Sequence, residues 1–131
     1  MTEKLINPWF EAHFFCNAHT DGSYRGHHED GSSILFSESQ GVLFWCPCGV
    51  NDPKFPIDGG RPHMCQIVFR NPPNGIQPPL NFGPESRHKK GVHPRWQIVS
   101  GTSLDDLTLD PSIAIGDPEC WHGHIKQGVV T

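Results

Sequence analysis

Proline and glycine punctuate this chain so densely that long helices are excluded. Fourteen glycines and thirteen prolines stand among 131 residues, about a fifth of the chain against about an eighth in average proteins. In a helix interior each proline costs about 3 kcal/mol and each glycine about 1 kcal/mol. The share still stays under the ~25–30% typical of low-complexity disorder, so a folded, loop-rich domain is expected. Its length suits one hydrophobic core. The fold class expected is mostly β: a small single-domain β-sandwich or β-barrel-like sheet with long Pro/Gly-rich loops and little helix.

Short apolar runs bounded by turn residues place the strands. Ser33–Phe36, Gly41–Trp45, Trp96–Val99 and Leu107–Leu109 each read as one. In Met64–Arg70 the residues Cys65, Ile67 and Phe69 recur at period two, the pattern of a half-buried strand. Asn71-Pro72-Pro73-Asn74-Gly75 must end it, because proline donates nothing to a ladder. Trp121–Ile125 and Val129–Val130 read as a terminal hairpin turning at Lys126-Gln127-Gly128. Residues 104–107 allow at most one helical turn. Residues 1–30 hold His13, His19, His27 and His28 and a polar, glycine-bearing stretch. They are read as an N-terminal arm ahead of a β domain over 31–131.

Charge and hydropathy remove several functions. A net charge of −4 gives no basic footprint for nucleic acid, no apolar run is long enough to span a bilayer, and the first residues lack the apolar core of an export signal. Five cysteines in such a chain therefore read as thiols rather than as a disulfide framework.

Two of the thiols stand one residue apart in Cys46-Pro47-Cys48-Gly49. Cys120-Trp121-His122 offers a second pair at the same spacing, and His124 shares its face if this stretch is extended. Zinc takes four N/S donors tetrahedrally, Cys3His among them. Two such pairs would clip the middle of the chain to its end, with His122 and His124 both open as the fourth donor. Trp45, Trp96 and Trp121 are expected to wall the site and fill the core. Cys65 is read as a core residue of its strand and Cys16 as unpartnered.

The ordered motifs Phe44-Trp45-Cys46-Pro47-Cys48-Gly49, Arg95-Trp96, Ser100–Leu104, Leu107–Leu109 with Pro111-Ser112-Ile113, and Cys120-Trp121-His122-Gly123 resemble an uncharacterised family of small proteins of tailed phages, prophages and bacteria. The resemblance spans roughly residues 40–131. It implies a zinc-ribbon-like site, carried onto Cys46, Cys48, Cys120 and His122, with Zn2+ as the metal.

Other constellations read more plainly. His13, Cys16 and His19, with His27 and His28, suggest a histidine-rich surface rather than a second metal site. Asp105, Asp106 and Asp110 read as turn caps. Arg87-His88-Lys89-Lys90 with His93 and Arg95 is a short basic loop, and no nucleophile elbow, phosphate loop or HExxH segment occurs. The expected function is a non-enzymatic zinc-binding phage or prophage protein, a structural or interaction module such as a capsid decoration or head–tail component. Its partner would be a phage structural protein or a host protein, and its place the virion or the host cytoplasm. The alternatives are a zinc-dependent hydrolase, with Asp105, Asp106 or Glu119 as base, and an intracellular early factor binding a host protein.

Overall fold

The computed structural model describes residues 2–47, 63–86, 89, 91–115 and 121–131. Among them the chain is mostly β, as its composition requires. Ten short strands form four small sheets: β1 (Glu3–Lys4), β2 (His13–Phe15), β3 (Gly41–Trp45), β4 (Met64–Val68), β5 (Gln97–Ser100), β6 (Thr108–Asp110), β7 (Ile113–Ile115), β8 (Trp121–Gly123), β9 (Ile125–Lys126) and β10 (Val129–Val130). The sheets run β2-β3-β4, β1-β10-β9, β5-β6 and β7-β8, antiparallel throughout. The only helical pieces among the described residues are 3-10 turns at Pro8–Phe10 and Phe36–Glu38.

The β2-β3-β4 sheet holds the centre. Val42 and Phe44 of β3 and Cys65 and Ile67 of β4 alternate onto one buried face, as their period-two spacing predicts. Phe69 continues that face, and Val68, on the opposite one, is buried as well, because that side is also covered. A parallel bridge joins Phe69 to Trp96, and Gly83 lies so close that a Cβ there would sit 2.8 Å from the Val68 side chain. Burial on both faces explains the nearly continuous apolar run Ile67-Val68-Phe69.

The loop that covers β4 is held by two side chains. Buried Gln40 donates from Nε2 to the Ile76 carbonyl at 2.8 Å and accepts from the Asn17 N–H at 3.0 Å. Arg95 donates to the carbonyls of Phe82 and Pro79, each at 2.7 Å, and of Pro94 at 3.3 Å. Pro79–Phe82 forms a turn closed by a 2.8 Å backbone bond, and Phe82 stacks on Tyr24 with ring centroids 4.0 Å apart. A proline-rich segment that cannot join a ladder is thus fixed from the side.

The first thirty residues, read as an arm, supply β1, β2 and the buried Leu5, Trp9, Phe10, Phe14 and Phe15. β1 pairs with the last strand, Glu3 opposite Val130, so the two ends of the chain meet in one sheet. Ser33–Phe36 is not the expected strand. The Glu38 carboxylate accepts the Leu35 N–H at 2.9 Å, and Ser39 Oγ donates to the Phe36 carbonyl at 2.7 Å. Local side-chain bonds of this kind compete with a ladder, and here they give a 3-10 turn with Leu35 63% exposed. The terminal hairpin is shorter than expected. Trp121–Gly123 pairs instead with Ile113–Ile115, a strand not foreseen, and only Ile125–Lys126 turns back onto Val129–Val130.

That last turn places Gln127 at φ 49° and Gly128 at φ 73°, the two positive angles of a type I′ hairpin. A Cβ on Gly128 would stand 2.3 Å from the Asp105 carbonyl oxygen, whereas one on Gly22, also at positive φ, would meet nothing within 4 Å. Gly22→Ala is therefore expected to lower the unfolding free energy by about 1–2 kcal/mol, the left-handed penalty alone. Gly128→Ala is expected to lower it by more, as read by urea denaturation of both variants.

Candidate metal centre

The β3–β4 register builds the site. Phe44 stands opposite Cys65 and Trp45 opposite Met64. One step beyond, the Cys46 N–H donates to the His63 carbonyl at 2.8 Å, so Cys46 faces His63 across the end of the ladder. Opposed residues share a face, as do alternate residues of one strand. Cys46, His63 and Cys65 consequently lie on the same side. Their donor atoms, two Sγ and one imidazole nitrogen, all fall within 4.8 Å of one another. Cys46 is 0% and Cys65 1% exposed, while His63 is half-buried.

Aromatic rings pack beside this face. Phe44 meets Phe10 and Trp121 edge-on, at 6.3 Å and 6.1 Å between centroids. Trp121 donates from Nε1 to the Thr131 carbonyl at 3.3 Å. Trp96 and Trp121 are buried in the core cluster, and Trp45 is partly buried against it, with Nε1 donating to Glu11 at 2.9 Å. A contact with the Cys46 thiol, together with desolvation and Cys46's charge, pushes the Cys65 thiol well above its ordinary value. Without a metal, Cys65 is thus held as a neutral thiol. Cys16 is also raised, chiefly by burial, but it is not one of the three.

Of the sequence-expected ligands, Cys46 belongs to this group, and Cys48 and Cys120 lie outside the described residues. His122 is exposed on β8, its Nε2 3.2 Å from Ser112 Oγ, and it is not one of the three clustered donors. Cys65 is the buried strand residue expected, and it also turns its thiol to Cys46. His63 was not singled out. The signal was present: His63-Met64-Cys65 repeats the one-residue spacing of Cys46-Pro47-Cys48.

The remaining candidates serve local structure. Asp106 Oδ1 accepts the N–H groups of Thr102 and Ser103 at 3.0 and 2.9 Å, a cap as read. His13 is exposed on a strand, and His19 Nε2 contacts the His27 carbonyl at 2.7 Å. Among the described residues no second donor cluster forms there. Arg95 turns inward to loop carbonyls, while Arg87, His88, Lys90 and Glu119 lie outside the described residues. Among those described, no helix is long and apolar enough to cross a membrane. No family model, curated protein or solved structure matches the chain.

The raised Cys65 value has a signed consequence. The unfolded chain ionises this thiol above its ordinary value of 9.0 while the folded, metal-free protein keeps it protonated, so its contribution is present below that pH and lost above it. Metal-free protein is expected to lose stability more steeply above pH 9.0 than Cys65→Ala does, measured by denaturant midpoints across the alkaline range.

Proposed function

We propose that this is a non-enzymatic, zinc-stapled β domain whose metal is bound by Cys46, His63 and Cys65 with a fourth donor. The observation that carries the reading is the convergence of two buried thiols and one imidazole at the end of a single ladder. Tetrahedral zinc with ~2.3 Å bonds to sulfur holds its donors about 3.8 Å apart, a separation that fits within the 4.8 Å spread. A disulfide suits the pair less well. Cys46 and Cys65 are diagonal across the ladder, where separations run about 7–8 Å, and a disulfide wants Cα atoms within about 6.8 Å. Neither forms a disulfide in the structure.

The fourth donor would come from the residues the sequence nominated. Cys48 is two positions along from Cys46. Cys120 immediately precedes Trp121, whose ring packs on Phe44 beside the site, which favours Cys120 over the exposed His122. With a thiolate in the fourth place the ion has no open position, so it would serve shape rather than turnover. A rigid metal-clipped domain of this kind suits a structural or interaction module in a tailed-phage particle, such as a capsid decoration or head–tail component. It would contact a phage structural protein or a host protein, in the virion or the host cytoplasm. The sequence resemblance supports that placement.

One observation favours a second reading. Three clustered donors leave one tetrahedral position, and water there would make a hydrolytic centre.

Metal analysis with single substitutions tests both. His63→Ala and Cys65→Ser are expected to lose stoichiometric zinc, and Cys16→Ser to retain it. Whichever of Cys48→Ser, Cys120→Ser and His122→Ala also loses zinc names the fourth donor. Full retention in His63→Ala and Cys65→Ser overturns the site. X-ray absorption showing four N/S donors supports the staple, and a light oxygen donor supports the hydrolase. Chelation is expected to lower stability by about 4 kcal/mol if the metal had stood at ~1,000 times its dissociation constant. Mass spectrometry of purified virions that lack the protein would overturn the particle assignment.

A further inference from the structure

Three turns of the chain share one construction. At residues 19–22, 28–31 and 72–75 a glycine N–H donates at 2.9 Å to the carbonyl three positions back, the bond of a β-turn. The glycines, Gly22, Gly31 and Gly75, stand at φ 75°, 87° and 76°. The residue before each, Asp21, Asp30 or Asn74, accepts the N–H two positions on at 2.9, 2.9 and 2.8 Å, an Asx turn. A Cβ on any of these glycines would meet nothing within 4 Å, so each junction is open to water.

One of the three differs chemically. Hydrogen bonds from Ser23 and Ser32 hold the Asp21 and Asp30 carboxyls below their usual range, and a carboxylate resists attack by a backbone nitrogen. Asn74 carries a neutral amide with ammonia as its leaving group, the chemistry that makes asparagine thermolabile. Six asparagines occur in the chain, and Asn74 alone precedes glycine, which puts no Cβ in the way of the attacking nitrogen. Asn7 and Asn71 precede proline, which has no N–H. Asn17, Asn51 and Asn81 precede Ala18, Asp52 and Phe82, whose side chains crowd the nitrogen.

The Asn74 turn is also tied to the core. The Ile76 carbonyl accepts from Nε2 of fully buried Gln40 at 2.8 Å, Gln77 Nε2 donates to the Phe69 carbonyl at 2.8 Å, and the Asn74 N–H points at the Ser39 carbonyl at 3.4 Å. We propose that Asn74 is a site of spontaneous deamidation, gated by this turn, and that its isoaspartyl product loosens the loop covering β4. The Gly75 nitrogen attacks Asn74 Cγ, the Cγ–Nδ2 bond breaks, and Nδ2 leaves as ammonia with the proton that Gly75 gives up. Water then opens the cyclic imide. Cleavage at Cγ gives aspartate, and cleavage at the main-chain carbonyl gives isoaspartate, whose backbone runs through Cβ and Cγ. The Gly75 N–H is bound to Pro72 in the folded turn, so the turn must open locally before the nitrogen is free to attack. The extra backbone carbon displaces Ile76 from Gln40, leaving a buried amide without its acceptor. This does not depend on the metal reading.

Peptide mapping by mass spectrometry after long incubation of the full chain at physiological temperature is the test. The peptide that holds Asn74 is expected to gain the mass of an amide-to-acid exchange and to split into aspartyl and isoaspartyl forms, told apart by a protease that cuts only at normal aspartate. The urea-unfolded chain is expected to convert several-fold faster, because the gate is gone. In Asn74→Gln that peptide is expected to keep its mass. An Asn74 still intact in the folded chain when the unfolded chain has fully converted overturns the site. A mass gain that persists in Asn74→Gln overturns its assignment, and equal rates folded and unfolded overturn the gate. The isoaspartyl protein, separated by chromatography, is expected to melt several degrees below the parent. Asn74→Asp adds the charge without lengthening the backbone, and its melt is expected to stay near the parent's. An isoaspartyl form melting with Asn74→Asp overturns the loosening of the loop.

Discussion

The pairing of Gly41–Trp45 with Met64–Val68 is the constraint on which the rest depends. Because side chains alternate along a strand, this register decides in one step which residues face the core and which face away. It puts Val42, Phe44, Cys65 and Ile67 inward and carries Cys46 and His63 onto the same side at its end. A slip of β3 by one residue would turn Phe44 and Cys46 outward, bury Trp45 instead and part Cys46 from Cys65. Core and candidate centre therefore stand or fall together. Gly41 helps fix the register, since a Cβ there would lie 2.3 Å from both the Ile67 carbonyl and the Phe15 ring.

Around that ladder the chain solves a problem its composition creates. Proline-rich stretches cannot satisfy their backbone groups in sheets, yet Val68 on the second face of β4 is fully buried and must be covered by something. The cover comes from a loop whose carbonyls are gathered by Gln40 and Arg95. Arg95 has no acidic partner among the described ion pairs, and desolvation lowers its pKa. Loop carbonyls stand in for the carboxylate. The same arrangement that shields Val68 also stiffens the turn bearing Leu80.

Much of this was legible in the sequence, at the level where local rules operate. The glycine and proline content excluded long helices, the runs at 41–45 and 107–109 gave strands at or within a residue of their positions, and the run at 64–70 gave one that ends at Val68. The caps at Asp106 and the positive-φ glycine before Val129 followed from turn chemistry. The errors lie where a neighbour remote in sequence overrides a local pattern. Ser33–Phe36 has the apolar content of a strand but no partner strand, and Glu38 offered its backbone a nearer bond. Residues 1–30 read as an arm from their histidines and one polar, glycine-bearing stretch, yet Trp9, Phe10 and Phe14 enter a core completed by β3 and the C-terminal strands.

The donor set shows the same division. Sequence alone established that this chain carries closely spaced thiol and imidazole pairs, because spacing is a property of the backbone. Which pair meets which is a matter of register, and register is set by side chains packing across strands. Cys65 reads as core from its period-two neighbours, and it is core. Only the folded ladder reveals that its thiol faces Cys46 and that His63 completes the cluster, since opposition across an antiparallel pair leaves no trace in either segment taken singly.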